Sequence, residues 1–113
     1  MSDFAVDVHD YEGVRVVCDW DRWQLKIEDN HPELSGWESD VARPISDPAL
    51  VLQDRDFVNR KHHIRKQRNG LFLDVVVEYR QEPGGLPGHL VTAFVRQRLR
   101  SGDSVLYVAR LKR

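Results

Sequence analysis

Apolar and polar residues alternate weakly at the start of the chain, through Phe4, Val6 and Val8. A β-branched run, Val14-Arg15-Val16-Val17, follows Gly13. Both predict short strands, paired as a hairpin around residues 10–13. The period then changes. Trp20, Trp23 and Ile27 fall at i, i+3 and i+7, one face of a helix over about residues 20–30. Asp19 or Asp21 is placed to cap it, and Pro32 limits its continuation. Ser35 with Glu38 three residues later reads as a capping box, in which each side chain satisfies the other residue's free backbone N–H. Leu34, Trp37, Val41 and Ile45 set the buried stripe of this second helix; Pro44 predicts a kink and Asp47-Pro48 its end.

From there the period is mostly two. Leu50–Leu52 predicts a short extended piece, and residues 60–67 a polar strand leading to the turn Arg68-Asn69-Gly70. Asn-Gly between two extended runs is a strong hairpin signal, because both residues tolerate positive φ. Leu71, Leu73, Val75, Val77 and Tyr79 share one face of the best strand in the chain. A glycine- and proline-rich loop over 83–88 leads to a strand over His89–Arg96, then a turn at Ser101-Gly102-Asp103 and a strand over Val105–Leu111. The pattern predicts a single α+β domain over 1–113. Two N-terminal helices are expected on one side of an antiparallel sheet of about four to five strands.

Composition supports an ordinary globule: 41% of the 113 residues are hydrophobic and 31% are charged. The lone cysteine, Cys18, has no partner for an internal disulfide, and no basic neighbour in sequence lowers its pKa. The acidic first dozen residues, with Asp3, Asp7, Asp10 and Glu12, are the reverse of a secretory leader. No apolar stretch approaches the ~20 residues of a membrane span. A cytoplasmic protein without a membrane partner is therefore expected. Charge changes the picture further. Residues 1–56 hold 14 acidic and 5 basic residues, a balance of −9, while 57–113 hold 4 acidic and 12 basic, a balance of +8. Two consequences are open at equal weight: a basic surface that attracts nucleic acid, or two halves that neutralise each other across their interface.

The chain has no GxGxxG, no P-loop, no HExxH and no CxxC. His62 and His63 are adjacent and point to opposite faces of a strand, so they cannot chelate one ion together. No metal and no cofactor is expected. On the strand over 89–96, Val91, Ala93 and Val95 form the aliphatic core set, leaving Leu90, Thr92, Phe94 and Arg96 opposite. On 60–67, Ile64 is the only apolar residue, so its face, with His62 and Lys66, is expected to look inward or to sit at an edge. That leaves His63 and Arg65 to meet Thr92 and Arg96 on one exposed surface. An imidazole, guanidinium groups and a hydroxyl suit RNA cleavage through the 2′-hydroxyl: His moves a proton, Arg offsets phosphate charge, and Thr orients a phosphate oxygen. The bland alternative is a solvated basic face. His31 has two readings: a proton donor at the edge of a cleft, or a ring bonded to a helix-end carbonyl. His9 and His89 are given no role.

The segments Trp23-x-x-Lys26-Ile27-x-x-x-His31-Pro32-Glu33-Leu34, Ile45-x-Asp47-Pro48-x-x-Val51, Leu71–Val77 and Val91-Thr92-Ala93-Phe94 occur in that order. This arrangement, over about residues 20–108, resembles small phage and bacterial domains of the barnase–EndoU–colicin–RelE-like (BECR-fold) group. The resemblance implies a compact, metal-independent ribonuclease, toxin- or phage-associated, with N-terminal helices on a four-stranded antiparallel sheet. It implies RNA as substrate and an antitoxin as a possible protein partner. It matches His63 and Arg65 to the group's basic strand and Thr92 to its "TA" strand. Where the group often has a histidine on the first helix, this chain has Lys26, whose unperturbed pKa of about 10.4 suits phosphate neutralisation and not proton shuttling.

Three functions follow. The first is a metal-independent ribonuclease with His31, His63, Arg65 and Thr92 catalytic and with Lys26, Lys61, Arg68 and Arg96 holding substrate. The second is a nucleic-acid-binding module on the same basic surface, without cleavage. The third is a protein-interaction or inhibitor module acting through the acidic first half, with Trp20 and Trp37.

Overall fold

The computed structural model describes residues 3–81, 83–99 and 102–109. Among these residues, seven strands form one mixed sheet: β1 (Phe4–His9), β2 (Arg15–Asp19), β3 (Leu50–Gln53), β4 (Arg60–Lys66), β5 (Phe72–Tyr79), β6 (Gly88–Arg96) and β7 (Val105–Val108). Their spatial order is β1-β2-β6-β5-β4-β3-β7. Every neighbouring pair is antiparallel except β2 and β6, which run parallel through Val16↔Gly88 and Val17↔His89. The expected fold, two N-terminal helices on an antiparallel sheet of four to five strands, is corrected on both counts. The N-terminal hairpin forms as its alternation predicts, but it then joins the sheet through this short parallel seam.

Helix is scarcer than the periodicity suggests. Asp19 caps the first segment, accepting from the Arg22 N–H at 2.7 Å. The segment is helical over the expected span 20–30, but it is α-helical only at its ends, in α1 (Trp20–Arg22) and residues 29–30, and Trp23–Glu28 between them is π-helical. Within it, the Trp23 indole N–H donates to Glu28 at 2.6 Å, and Trp23 and Ile27 are buried as the spacing predicts. The capping box does not form. Ser35 and Gly36 lie in a turn after the 3-10 segment Pro32–Leu34, and Gly36 takes φ +80°. The helix α2 starts beyond it, at Glu38–Ser46, without a side-chain cap. The Asn69-Gly70 turn does form: Gly70 takes φ +81°, and Asn69 instead uses its side chain to accept from the Leu71 N–H. The last strand ends at Val108, with Ala109 beyond it; residues 110–111 of its expected span, and Ser101 of the preceding turn, lie outside the described residues.

The core lies on one face of the sheet, where Trp23, Ile27, Leu34, Val41 and Ile45 meet Val6, Val16, Cys18, Leu73, Val75, Val77, Leu90 and Ala93. The sheet curls around it. Tyr11, in the β1–β2 turn, reaches Tyr107 on the far strand β7, their rings 4.6 Å apart. Directly paired residues on neighbouring strands point to the same face, so register assigns the faces of the central strands. His63↔Val75↔Ala93 and Arg65↔Leu73↔Val95 lie on the helix-covered face. His62↔Val76↔Thr92, Ile64↔Asp74↔Phe94 and Lys66↔Phe72↔Arg96 lie on the other face.

Candidate functional site

This register overturns the expectation that His63 and Arg65 meet Thr92 and Arg96. From Thr92 to Arg96 the faces of β6 are as read from the sequence; Leu90, expected opposite the core, is buried in it, because a register shift beside Val76 and Val77 skips Val91 and pairs Leu90 with Val77. The faces of β4 are reversed. The physical reason is that both faces of β4 are buried near its centre, His63 on one side and Ile64 on the other. A lone isoleucine therefore does not identify the core side, and choosing the wrong parity exchanges both residue sets.

His63 belongs to an internal network. The Tyr79 hydroxyl donates to Asp10 at 2.7 Å, so its oxygen is left to accept from His63 Nε2 at 3.0 Å. Asp10 also accepts from the backbone N–H groups of Glu12 and Val14, which fixes the β1–β2 turn over the strand. His63 Nδ1 is buried without a partner. Burial pulls the His63 pKa down to about 4, so the ring is neutral. Arg65 donates to the backbone carbonyl of Asp47 at 2.8 Å and pairs with its carboxylate. Lys61 pairs with Glu12 and lies 5.0 Å from the Tyr79 ring centre. Arg65, expected to be catalytic, and Lys61, expected to hold substrate, are thus spent binding the acidic first half to the basic second half. Lys26 is exposed on the π-helical stretch, and Arg68 is exposed in the β4–β5 turn.

The helix-free face carries a different constellation. Asp74 is fully buried in the valine-rich strand β5 and accepts from His62 Nδ1 at 2.9 Å and from Arg96 at 2.8 Å. The other ring nitrogen of His62 meets Asp54 at 2.6 Å. The bond to Asp74, reinforced by Asp54, raises the His62 pKa against the opposing effect of burial. Burial opposes ionisation of Asp54, but the bonds from His62 and from the backbone of Phe57 and Asp56 outweigh it and lower its pKa. His62 is therefore a clamped cation between two carboxylates. With both nitrogens engaged it holds charge in place and does not shuttle protons. Sequence reasoning missed it by sending His62 inward. A signal was present: an aspartate inside a run of valines must find buried donors or unfold the strand.

Beside this cluster is a cleft of about 230 Å³, lined by Gln53, Asp54, Asp56, Phe94 and Arg96 among others. Phe94 also borders a wider surface. Lys66, Phe72 and Arg96 form a cross-strand row, and Phe94 sits in the next row, diagonal to Phe72. Both phenylalanines are half-buried, while Lys66, Arg68 and Arg98 are exposed. Among the described residues, these three cations have no carboxylate partner. The Arg96 guanidinium lies 5.6 Å from the Phe94 ring centre. The His31 ring also lies near Phe94, the centroids 6.2 Å apart, and His31 meets Glu33 at 3.5 Å. The structure thus brings His31, Thr92 and Arg96 to one side of the sheet and leaves His63, Arg65 and Lys61 on the other. Phe72, Phe94 and Lys66 are additional members, and Arg98 is exposed just beyond the end of β6.

Among the described residues, no group of three or more His, Cys, Asp or Glu side chains is arranged to hold a metal ion, and no helix is long and apolar enough to cross a membrane. No protein-family model, no curated protein and no solved structure matches this chain. The BECR resemblance therefore rests on the quoted sequence segments alone.

Proposed function

We propose that this chain binds single-stranded nucleic acid, RNA in the first instance, on the helix-free face of its sheet, and leaves it intact. The observation that carries the reading is the placing of two half-buried rings, Phe72 and Phe94, on one face of the sheet, with Lys66 and Arg96 paired across strands to Phe72, and with Arg68 and Arg98 exposed in the segments that follow β4 and β6. Flat rings on a sheet stack bases of any sequence, and flanking cations hold the backbone; stacking is worth about 1–3 kcal/mol per base. The general-base candidate on β4, His63, is neutral and enclosed on the opposite face, so the binding reading stands ahead of cleavage.

A second reading, the ribonuclease, keeps one supporting contact, His31 beside Phe94 on the side of Thr92 and Arg96. It carries with it the expectation of an antitoxin. One experiment separates the two. Labelled single-stranded RNA and DNA oligomers are titrated with the full chain in EDTA, and the products are run on a denaturing gel. The binding reading expects salt-sensitive association with intact oligomer, weakened about tenfold or more by Phe94→Ala or Phe72→Ala. Cleavage lost in His31→Ala selects the second reading. Absence of both binding and cleavage overturns the two together.

A further inference from the structure

The cleft beside Phe94 has a chemistry that open stacking does not explain. We infer that it is a base pocket that selects cytosine; the inference rests on the nucleic-acid-binding reading and deepens it. Phe94 belongs both to the platform and to the wall of the cleft, so a base stacked on its ring turns an edge toward Gln53, Asp54, Asp56 and Arg96. Most polar groups there are already committed. His62 is held between Asp54 and Asp74, and Arg55 pairs with Asp103. The Gln53 amide nitrogen is surrounded by the backbone carbonyls of Asp54, Phe57, Val58 and Arg60.

Of the charged side chains, Asp56 and Arg96 remain for a ligand. Asp56 is exposed, and its carboxylate has no partner among the described residues. Arg96 spends only Nη1 on Asp74, which leaves Nε and Nη2 as donors in a guanidinium fixed from behind by a buried carboxylate. The pocket therefore offers an acceptor and a pair of donors. Cytosine presents the complement: an amino donor at N4 beside two acceptors, N3 and O2. A carboxylate accepting from the N4 amino group is an established mode of reading this base. Uracil places a carbonyl oxygen where the amino group would be, opposite the Asp56 charge. Adenine keeps the amino group but has one ring acceptor on that edge, so half of the Arg96 fork goes unused. Guanine presents its donors and acceptor in the reverse order.

The test uses the full chain and labelled RNA nonamers of uridine carrying cytosine, uracil, adenine or guanine at the central position, followed by fluorescence anisotropy. The expected result is about tenfold tighter binding of the cytosine oligomer than of all-uridine, from one good base-edge contact. In Asp56→Asn that preference falls to within about twofold, because the cytosine oligomer loses its carboxylate acceptor and the all-uridine oligomer no longer faces a negative charge. The variant keeps the backbone bond from Asp56 N–H to Asp54, so its fold is expected to be intact, and circular dichroism checks this. Equal affinity for all four oligomers, or a preference that survives in Asp56→Asn, overturns the pocket while leaving the platform standing. Binding of none of them overturns the platform, and the pocket with it.

Discussion

The carboxylate of Asp74 accepts from His62 Nδ1 at 2.9 Å while it is itself wholly enclosed, and a second cation, Arg96, bonds it at 2.8 Å. Two positive groups on neighbouring strands are thereby tied to one negative group on the strand between them. Removing the charge and keeping the shape, as in Asp74→Asn, leaves Arg96 without its counter-charge and His62 with Asp54 alone. Breaking a buried pair from one side costs about 3–5 kcal/mol. Urea unfolding followed by tryptophan fluorescence is expected to show a loss of about 3 kcal/mol, toward the lower end because Arg96 and His62 are not fully enclosed. A loss below about 1 kcal/mol would mean that water satisfies this cluster.

His62 and His63, one residue apart, are expected to titrate in opposite directions from the ordinary value near 6.5. Asp74 and Asp54 raise His62, and burial lowers His63 to about 4. The stability that His62 contributes is complete below the unfolded pKa and is lost as pH rises through its higher folded value. For His63 the sign reverses. The unfolded chain takes up the proton first, so stability is complete above about 6.5 and declines as pH falls toward 4. Proton NMR of the ring Hε1 signals, assigned with His62→Gln and His63→Gln, gives both midpoints. A single common midpoint near 6.5 would contradict the face assignment of β4.

Where one face of an element is apolar and the other polar, the sequence was readable. Leu73, Val75 and Val77 alternate into the core, and Trp23, Val41 and Ile45 mark the helical faces that pack on them. The Asn69-Gly70 turn needed only local chemistry. Three features were not readable, each for a physical reason. The parallel seam of β2 and β6 rests on two residue pairs distant in sequence, and nothing local encodes it. Ser35 has the right spacing to Glu38, but Gly36 at φ +80° turns the chain before the helix begins. On β4 the parity choice was undetermined, and with it went the site: His62 and Arg96, not His63 and Arg65, share the face of Phe94. The opposite charge of the two halves was visible in the sequence. Part of its use is internal, through Lys61–Glu12 and Arg65–Asp47.

Gly88 is where the N-terminal hairpin is joined to the rest of the sheet. A Cβ there would lie 2.7 Å from a Val16 methyl and 2.8 Å from the backbone carbonyl oxygen of Arg15. A side chain can move aside; the carbonyl of a paired strand moves only if β2 moves. Gly88→Ala is therefore expected to cost about 2 kcal/mol, in the range of overpacked sites. It is also expected to speed amide hydrogen exchange in β2 and β6 near the seam. Wild-type stability and exchange in this variant would mean that the two strands are not held together in this register.

Cys18 gives a test of the same region from the inside. It is buried in β2, and burial pushes its thiol up to about 12. A protonated, enclosed thiol is a poor nucleophile. Ellman's reagent is expected to leave it unmodified in the native chain near neutral pH and to react within the mixing time once the chain is unfolded in urea. Rapid native reaction would place the β1–β2 hairpin in an open state. In Gly88→Ala, an intermediate rate is expected, because loosening the seam exposes β2.

The platform cations predict how salt acts on binding. Each phosphate contact releases condensed counterions, so the logarithm of the binding constant falls linearly with the logarithm of salt, by about 0.7 per contact for a single strand. Lys66, Arg68 and Arg98 are exposed and without carboxylate partners among the described residues, so each is available for one phosphate. Arg65 and Lys61 are held by Asp47 and Glu12 on the other face. The triple variant Lys66→Ala/Arg68→Ala/Arg98→Ala is expected to flatten the salt dependence by about 2 in slope and to weaken all oligomers alike. Lys61→Ala/Arg65→Ala is expected to leave the slope unchanged while lowering stability by at most about 1 kcal/mol, the range for partly exposed ion pairs. If instead the second variant flattens the slope and the first does not, nucleic acid binds the helix-covered side and the platform assignment fails.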